Sequence, residues 1–208
     1  MKALTIASLV LLGFAGSASA VDFTGPVAPA TWAVANTGTL TGSSPTLGTA
    51  AFTTTQLVLT DSNSNSPSGD SPSCSGGFFQ TLGPCQLQVT RGLAGTYSFS
   101  WAYLTSDGAG PGGDIFGVIV DSLRTQLSDP GGASSQSGTR SFTALSSFGF
   151  FMNCTDCIGG SARTTISQFN FTAAPVPEPE TYALLFAGML GLVVRSKTRR
   201  RQGNAQIL

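Results

Sequence analysis

Apolar side chains alternate with small polar ones through most of residues 21–174, which is the period of β-strands. The clearest example is TYSFSWAYL, whose large residues all fall on one face: Tyr97, Phe99, Trp101 and Tyr103. An aromatic face of this kind predicts a strand that packs into a core. The stretch DIFGVIVD is apolar throughout, which is typical of a strand that is covered on both faces.

Further runs have the length and composition of strands. They are TWAVA, FTTTQLVLT, CQLQVT, RSFTAL, SFGFFM and TTISQFNFTA. Stretches rich in Gly, Pro, Ser and Asn, such as SNSNSPSGDSPS and DPGGASSQSG, lie between them and predict turns. Short strands joined by polar turns predict an all-β domain over residues 21–174, an antiparallel β-sandwich that is jelly-roll-like.

The first residues have the features of a secretory signal peptide. Lys2 provides a positive start, an apolar stretch runs from Leu4 to Phe14, and an A-x-A sequence stands directly before Val21. A signal peptidase cuts after small residues at this spacing. We therefore expect a signal helix within residues 1–20 and a mature chain that begins at Val21.

A second apolar segment, TYALLFAGMLGLVV, occupies residues 181–194. As a helix, its uninterrupted apolar run would be about 20 Å long, against about 30 Å for the hydrocarbon core of a bilayer. Such a segment spans a membrane only if flanking residues snorkel and the bilayer thins. We expect a short transmembrane helix that is weakly held.

Charge is segregated along the chain, although the formal net charge is zero. Residues 21–174 contain eight aspartates and four arginines, a net charge of −4. The tail at residues 195–208 contains five of the ten basic residues: Arg195, Lys197, Arg199, Arg200 and Arg201. Basic residues beside an apolar helix are typical of a cytoplasmic stop. We expect no nucleic-acid partner, because the body is acidic and exported.

The order of VPEPE, an apolar helix and an arginine cluster resembles the PEP-CTERM C-terminal signal, also catalogued as the ice-binding protein C-terminal domain. The resemblance implies that an exosortase recognises Pro177, Glu178 and Pro179, within a linker at residues 175–180, and removes the tail. It also implies a Gram-negative bacterium, an inner-membrane precursor with a cytoplasmic C-terminus, and a mature protein at the cell surface or in an exopolysaccharide matrix. A single-pass anchor that is never processed is the alternative.

A second resemblance concerns the body. The segment FSWAYLTSDGAGPGGDIFGVIV is similar to a β-sandwich module of bacterial exported surface proteins, through its W-x-Y-x-T-x-D and D-x-F-G patterns. This resemblance implies the sandwich fold and a surface role, and no activity comes with it.

The body lacks the residue types of most catalytic centres. The chain has no histidine, and residues 21–174 contain neither lysine nor glutamate. Ser-His and Cys-His pairs, imidazole metal sites, Schiff-base lysines and glutamate acids are therefore excluded there. We expect a protein that is not an enzyme.

Aspartates around the loop GAGPGG are the candidate ligands for a cation. Asp107 and Asp114 flank this loop, and Asp156 follows later in the chain. The preferred interpretation is that an aspartate at a strand end caps a turn, here in a Gly-rich loop, and that the protein holds no cofactor. Calcium prefers hard oxygen ligands and tolerates irregular loops, so these three are the candidate Ca²⁺ ligands of an alternative interpretation. They would make the protein a calcium-assisted carbohydrate-binding module. A second alternative is a polysaccharide hydrolase in which Asp107 and Asp114 are the acid and the base.

The stretch DSNSNSPSGD also begins with the spacing of an EF-hand loop, at Asp61, Asn63 and Asn65. The match then fails, because Ser66 stands where glycine is required and Pro72 stands where glutamate is required. A solvated turn is the preferred interpretation.

Four cysteines in an exported chain predict disulfides. The preferred pairs are the local ones, Cys74 with Cys85 and Cys154 with Cys157. The spacing within the first pair disfavours a zinc site formed by all four.

The favoured function is that of a non-enzymatic β-sandwich of the cell surface or exopolysaccharide matrix, sorted by an exosortase. The loop closed by the first cysteine pair contains GGFFQ. Apolar rings in such a loop have less reason to be buried, so Phe78 and Phe79 are the candidate contact patch.

Overall fold

A computed structural model of the protein describes residues 19–40, 45–64, 74–75, 85–108, 110–155, 157, 159–175 and 183–190. The β-rich body forms one compact unit, Ala18–Ala174. Beyond it, the described residues are Pro175 and a helix, α1, at residues 183–190.

Within the described residues the chain forms strands and three short 3₁₀ helices, the latter at Gly25–Val27, Pro29–Thr31 and Gly110–Gly112. The strands are β1 (Ser19–Val21), β2 (Ala33–Thr37), β3 (Thr39–Leu40), β4 (Thr49–Phe52), β5 (Gln56–Thr60), β6 (Cys74–Ser75), β7 (Cys85–Arg91), β8 (Gly95–Thr105), β9 (Asp114–Val120), β10 (Leu123–Gln126), β11 (Ser135–Ala144), β12 (Phe148–Cys154) and β13 (Ala162–Ala173).

Two antiparallel sheets face each other. The first sheet has the order β11, β8, β13, β5 and β4, with β1 also paired to β13. The second has the order β10, β9, β12, β7 and β2, and β3 pairs separately with β6. The predicted all-β antiparallel sandwich is confirmed.

The core between the sheets is built largely from aromatic rings, most of them on β8 and β12. The predicted inward face of β8 is confirmed, because Tyr97, Phe99, Trp101 and Tyr103 are all buried. Ring pairs that cross from β8 to the second sheet include Tyr97 to Phe148 with centroids 4.3 Å apart, Phe99 to Phe150 at 5.0 Å, and Trp101 to Phe116 at 5.5 Å.

The run FTTTQLVLT, predicted as one strand, forms parts of two. The Thr53 N–H donates to Gln56 O (2.8 Å), and the Gln56 N–H donates to Thr53 Oγ1 (2.9 Å). These bonds close a turn between β4 and β5, since a threonine hydroxyl offers the backbone an alternative to the sheet ladder. Strand β10 was not predicted, and β11 begins inside the stretch DPGGASSQSG, which was predicted as a turn.

Strand β1 includes the last two residues of the predicted signal peptide. Ser19 pairs with Thr172 and Ala20 with Phe171 along β13. The signal peptide and its cleavage before Val21 stay predictions, and residues 1–18 lie outside the described residues.

Helix α1 covers the centre of the apolar segment predicted to be a transmembrane helix over residues 181–194. Its large apolar side chains are exposed: Leu184, Leu185, Phe186, Met189 and Leu190. Among the described residues, no helix combines the length and the hydropathy needed to cross a bilayer.

Replacing a central core ring tests the sandwich. Phe150 is fully buried and contacts the rings of Phe99 and Phe148. We expect Phe150→Ala to lower the free energy of unfolding by about 3–5 kcal/mol, because it leaves a cavity between the sheets. Urea denaturation followed by circular dichroism measures this loss.

The matched control is Leu145→Ala, since the Leu145 side chain is 83% exposed. We expect this variant to stay within about 0.5 kcal/mol of the wild type. Similar losses in the two variants would contradict the described core.

Candidate functional site

Carboxylates from both sheets meet at one end of the sandwich. In the first sheet the Asp61 N–H donates to Ala162 O (2.9 Å), and Ala162 pairs with Thr105. In the second sheet Asp114 pairs with Cys154. The Thr105 Oγ1 hydroxyl donates across the gap to Asp114 Oδ2 (2.6 Å), which shows that the Asp114 side chain points toward the first sheet.

Thr105 links the two predicted aspartates. Its hydroxyl oxygen, which donates to Asp114, also accepts a hydrogen bond from the Asp107 N–H (3.0 Å). Asp114 is fully buried, and Asp107 is 9% exposed. The Tyr103 hydroxyl donates to Asp114 O (2.7 Å), and burial together with the Asp114 carboxylate raises the pKa of Tyr103. The structure therefore connects the Asp107 backbone and the Asp114 carboxylate through one hydroxyl, and their role as cation ligands stays a prediction.

Asp61 belongs to the same cluster, and the prediction that it lies in a solvated turn is wrong. It is 2% exposed, and burial and the Asp114 carboxylate raise its pKa well above the ordinary value. Its Oδ1 accepts a hydrogen bond from the Ser62 N–H (2.8 Å). Its Oδ2 has no hydrogen-bond partner within the described part of the chain.

The turn after β5 is buried because it packs against the segment that follows β12. Both the N–H and the hydroxyl of Ser64 donate to Cys157 O, at 2.8 and 2.7 Å. A signal for the burial of Asp61 was present in the sequence: Leu57, Leu59 and Asp61 alternate, and all three are buried. The polar residues after Thr60 made this alternation hard to recognise in the sequence.

Buried cysteines close the same end of the sandwich. The predicted disulfide between Cys154 and Cys157 is present, with Cα atoms 4.9 Å apart. Cys85 is disulfide-bonded as well, and the side chain of Cys74 lies outside the described residues.

These cysteines do not form a metal centre. In the described ranges, the group of three potential metal-ligand side chains with ligand atoms within 4.8 Å of one another is Cys85, Cys154 and Cys157. Disulfide sulfurs are not the thiolates that zinc requires. A cation at this end would depend on carboxylate, hydroxyl and carbonyl oxygens.

Asp121 lies apart from this cluster, in the turn after β9, and bonds the loop at residues 145–147. Asp121 and Ser122 both have positive φ, 49° and 71°, and form the two-residue turn between β9 and β10. This is the backbone of a type I′ hairpin, in which aspartate is favoured. The Asp121 carboxylate accepts hydrogen bonds from the backbone N–H groups of Leu145, Ser146 and Ser147, at 2.7 to 3.0 Å. These bonds lower the pKa of Asp121.

Several predicted site residues lie outside the described residues. They are Asp156, the candidate contact patch Phe78 and Phe79, the sorting residues Pro177, Glu178 and Pro179, and the basic residues Arg195, Lys197, Arg199, Arg200 and Arg201. Their assignments stay predictions.

A family model matches the segment that follows β13. Strand β13 ends at Ala173, and the Ala174 N–H donates to Ala94 O (3.2 Å). A family model described as the PEP-CTERM protein-sorting motif matches residues 175–201. The chain carries a PEP-CTERM sorting motif. The predicted resemblance is thereby confirmed, and the motif implies an exported protein that an exosortase processes at the membrane.

Two solved structures show a distant likeness to the body. A mutant of a carbohydrate-binding module of family 29 shares 8% identity and a TM-score of 0.37, over 76% of this chain and 92% of that chain. An arabinose-bound α-L-arabinofuranosidase shares 14% identity and a TM-score of 0.33, over 69% of this chain and 23% of that chain. No curated protein matches the chain. The fold assignment depends on the two sheets themselves.

The raised pKa of Asp61 predicts a distinct dependence of stability on pH. Above the ordinary aspartate pKa of about 4, the unfolded chain loses a proton that folded Asp61 retains. The free energy of unfolding therefore falls as pH rises from about 4 toward the raised pKa. We expect Asp61→Asn to remove this fall, so that its stability relative to the wild type increases with pH in a series of urea titrations.

Asp121→Asn is the control of opposite sign. Since the pKa of Asp121 is lowered in the fold, its contribution is present above the unfolded pKa and is lost as pH falls through the folded pKa. This variant should therefore lose stability relative to the wild type as pH rises from the lowered folded pKa to about 4, and the difference should stay constant above that pH. If the free energy of unfolding depended on pH in the same way for the wild type and Asp61→Asn, Asp61 would not be the buried acid described above.

Proposed function

We propose that this protein is an exported β-sandwich that is delivered to the cell surface or the extracellular polysaccharide matrix and acts there without catalytic turnover. The observation that carries the proposal is the sorting motif at residues 175–201, which begins two residues after the last strand of the sandwich ends. The exopolysaccharide setting comes from the resemblance to other proteins with this signal.

The chemistry of the body supports a role in binding or structure. Residues 21–174 contain no histidine, lysine or glutamate. The hydrolase alternative requires an acid and a base that both reach the substrate. Asp114 is fully buried and its Oδ2 accepts the Thr105 hydroxyl, so it is poorly placed for either role.

A transient membrane stage fits the apolar segment around α1. The basic residues that follow it would remain in the cytoplasm and hold the precursor in the inner membrane. A short, weakly held helix suits an address that is removed after use, as in other C-terminal signals that leave the mature protein. Removal of the tail by an exosortase would then release the body to the surface or matrix.

The state of the C-terminus tests the proposal. In a Gram-negative host with an active exosortase, we expect the mature protein to end near Pro177–Pro179. Glu178→Gln should retain the tail, because it removes the charge from the recognised triad, whereas Glu180→Gln is the matched control outside it. Intact-mass spectrometry measures the C-terminus in all three proteins. A wild type that retains RQGNAQIL while the same host processes another substrate would refute the sorting role.

The alternative function is calcium-assisted carbohydrate binding. It is favoured by the meeting of Asp61, Asp107 and Asp114 at one end of the sandwich and by the buried Asp61 Oδ2, which has no hydrogen-bond partner among the described residues. Calcium takes six to eight oxygen ligands and would offset the mutual repulsion of these carboxylates, with Asp156 as the further predicted ligand.

Thermal unfolding with and without calcium tests this alternative. A ligand at a hundredfold excess over its Kd stabilises by about 2.7 kcal/mol. We expect calcium to raise the Tm of the EDTA-treated protein and Asp114→Asn to abolish the increase. Asp129→Asn is the control, since Asp129 lies in the turn before β11. Equal responses in both variants, or no response in the wild type, would eliminate the calcium site.

A further inference from the structure

A groove of about 430 Å³ lies on the outer face of the second sheet. Its volume is within the range of ligand pockets, about 300–1,000 Å³. Strand β7 contributes Gln88 and Thr90 to its lining, and β9 contributes Ile119. Leu87, Val89 and Val118 alternate with these residues and belong to the core, which identifies the outer face.

Strand β12 lies between the two strands that line the groove. Its Gly149 pairs with Thr90 on one side and with Ile119 on the other. A Cβ at Gly149 would lie 2.6 Å from Val89 O and 2.8 Å from Thr90 Cγ2, so glycine is required where β12 and β7 approach closely. Ser122 and Ser147 line the groove, and the hydrogen bonds of the Asp121 carboxylate and N–H to the loop at 145–147 hold both serines in place.

The groove is positively charged in a body that is acidic. Arg91 and Arg124 both line it, and none of the described residues that line it is an acid. Both donate hydrogen bonds to neutral acceptors: Arg91 Nη1 donates to Thr31 O (3.2 Å), and Arg124 Nη2 donates to Gln86 Oε1 (2.7 Å). The Arg91 Nε is buried and has no hydrogen-bond partner within the described part of the chain.

A buried glutamine positions Arg124. Gln86 is 2% exposed, and its Oε1 accepts hydrogen bonds from both Arg124 and Gln88 Nε2 (2.6 Å). Its own Nε2 is buried with no hydrogen-bond partner among the described residues. A guanidinium held by a buried amide loses little conformational entropy when it binds a ligand.

We propose that this groove binds the carboxylate-bearing sugar units of an acidic polysaccharide. Arg91 and Arg124 would bind the carboxylate, for which the planar guanidinium is well suited. The hydroxyls of Thr90, Ser122 and Ser147 would bind the sugar hydroxyls. The inference deepens the proposed function by naming its ligand class, and it rests on that function for the encounter with polysaccharide.

The lining favours a sugar over other polyanions. Binding of single-stranded nucleic acid uses aromatic side chains on which the bases stack, and the groove lining contains none. Its apolar surface is limited to Ile119, surrounded by hydroxyl and amide groups that match a ligand rich in hydroxyls.

Binding of the purified full-length protein to immobilised polyuronate (alginate) tests the inference, with dextran of similar length as the neutral probe. We expect retention on alginate and none on dextran. Arg124→Gln should weaken alginate binding about 10- to 100-fold, the loss expected for one charge-assisted hydrogen-bonding partner. Arg91→Lys, which keeps the charge and loses the planar fork, should also weaken it.

Arg140→Gln is the matched control. It removes the same charge from β11 of the first sheet, where Arg140 is exposed and its Nη1 donates to Thr139 O. We expect it to bind alginate as the wild type does, and thermal melting verifies that all variants are folded.

Several outcomes would overturn the inference. Equal binding to dextran would remove the role of the carboxylate, and equal weakening by Arg140→Gln would indicate net charge instead of the groove. Single-stranded DNA that binds as tightly as alginate would indicate a general polyanion site. The C-terminal mass is measured separately. A correctly processed protein that does not bind alginate would therefore contradict the ligand proposed for the groove and leave the proposed sorting role standing.

Discussion

The packing of β8 against the second sheet is the constraint on which the rest of the structure depends. Three rings of one face of β8 contact rings of β9 and β12, and the same face continues through Tyr103 to Thr105. Thr105 then donates to Asp114. A single alternation therefore provides the apolar core and, at its end, the polar contact that connects the two sheets. A shift of one residue in β8 would bury its serines and expose its rings, so the register is strongly specified.

This alternation also explains which features the sequence could predict. The period of two in TYSFSWAYL is local, and it predicted the buried face of β8 and the sandwich class correctly. The pairing of Cys154 with Cys157 was predictable because three residues of separation leave little freedom. Asp61 was assigned to a solvated turn because the polar residues after it dominate the local composition. The phase of Leu57 and Leu59 was the better guide, since burial follows the face of a strand and not its average polarity.

The groove could not be predicted from local patterns. Thr90, Ile119 and Arg124 lie on three different strands, and they meet only because of the strand order and register of the second sheet. Gly149 gives no sign in the sequence that it pairs with both Thr90 and Ile119. The two groove arginines are likewise ordinary strand residues until the fold places them together. Sites formed across strands depend on long-range pairing, which a single sequence specifies only through the whole fold.

The sorting signal and the body are separable in physical terms. The Ala174 N–H bonds Ala94 O, and the predicted cleavage triad at 177–179 follows this bond in the chain. Every described strand of the sandwich, including β13, ends before the motif begins. Cleavage in the triad therefore breaks no described hydrogen bond of the sheets and removes no residue of the core, the acidic cluster or the groove. Removal of the tail would therefore leave every described strand of the sandwich in place.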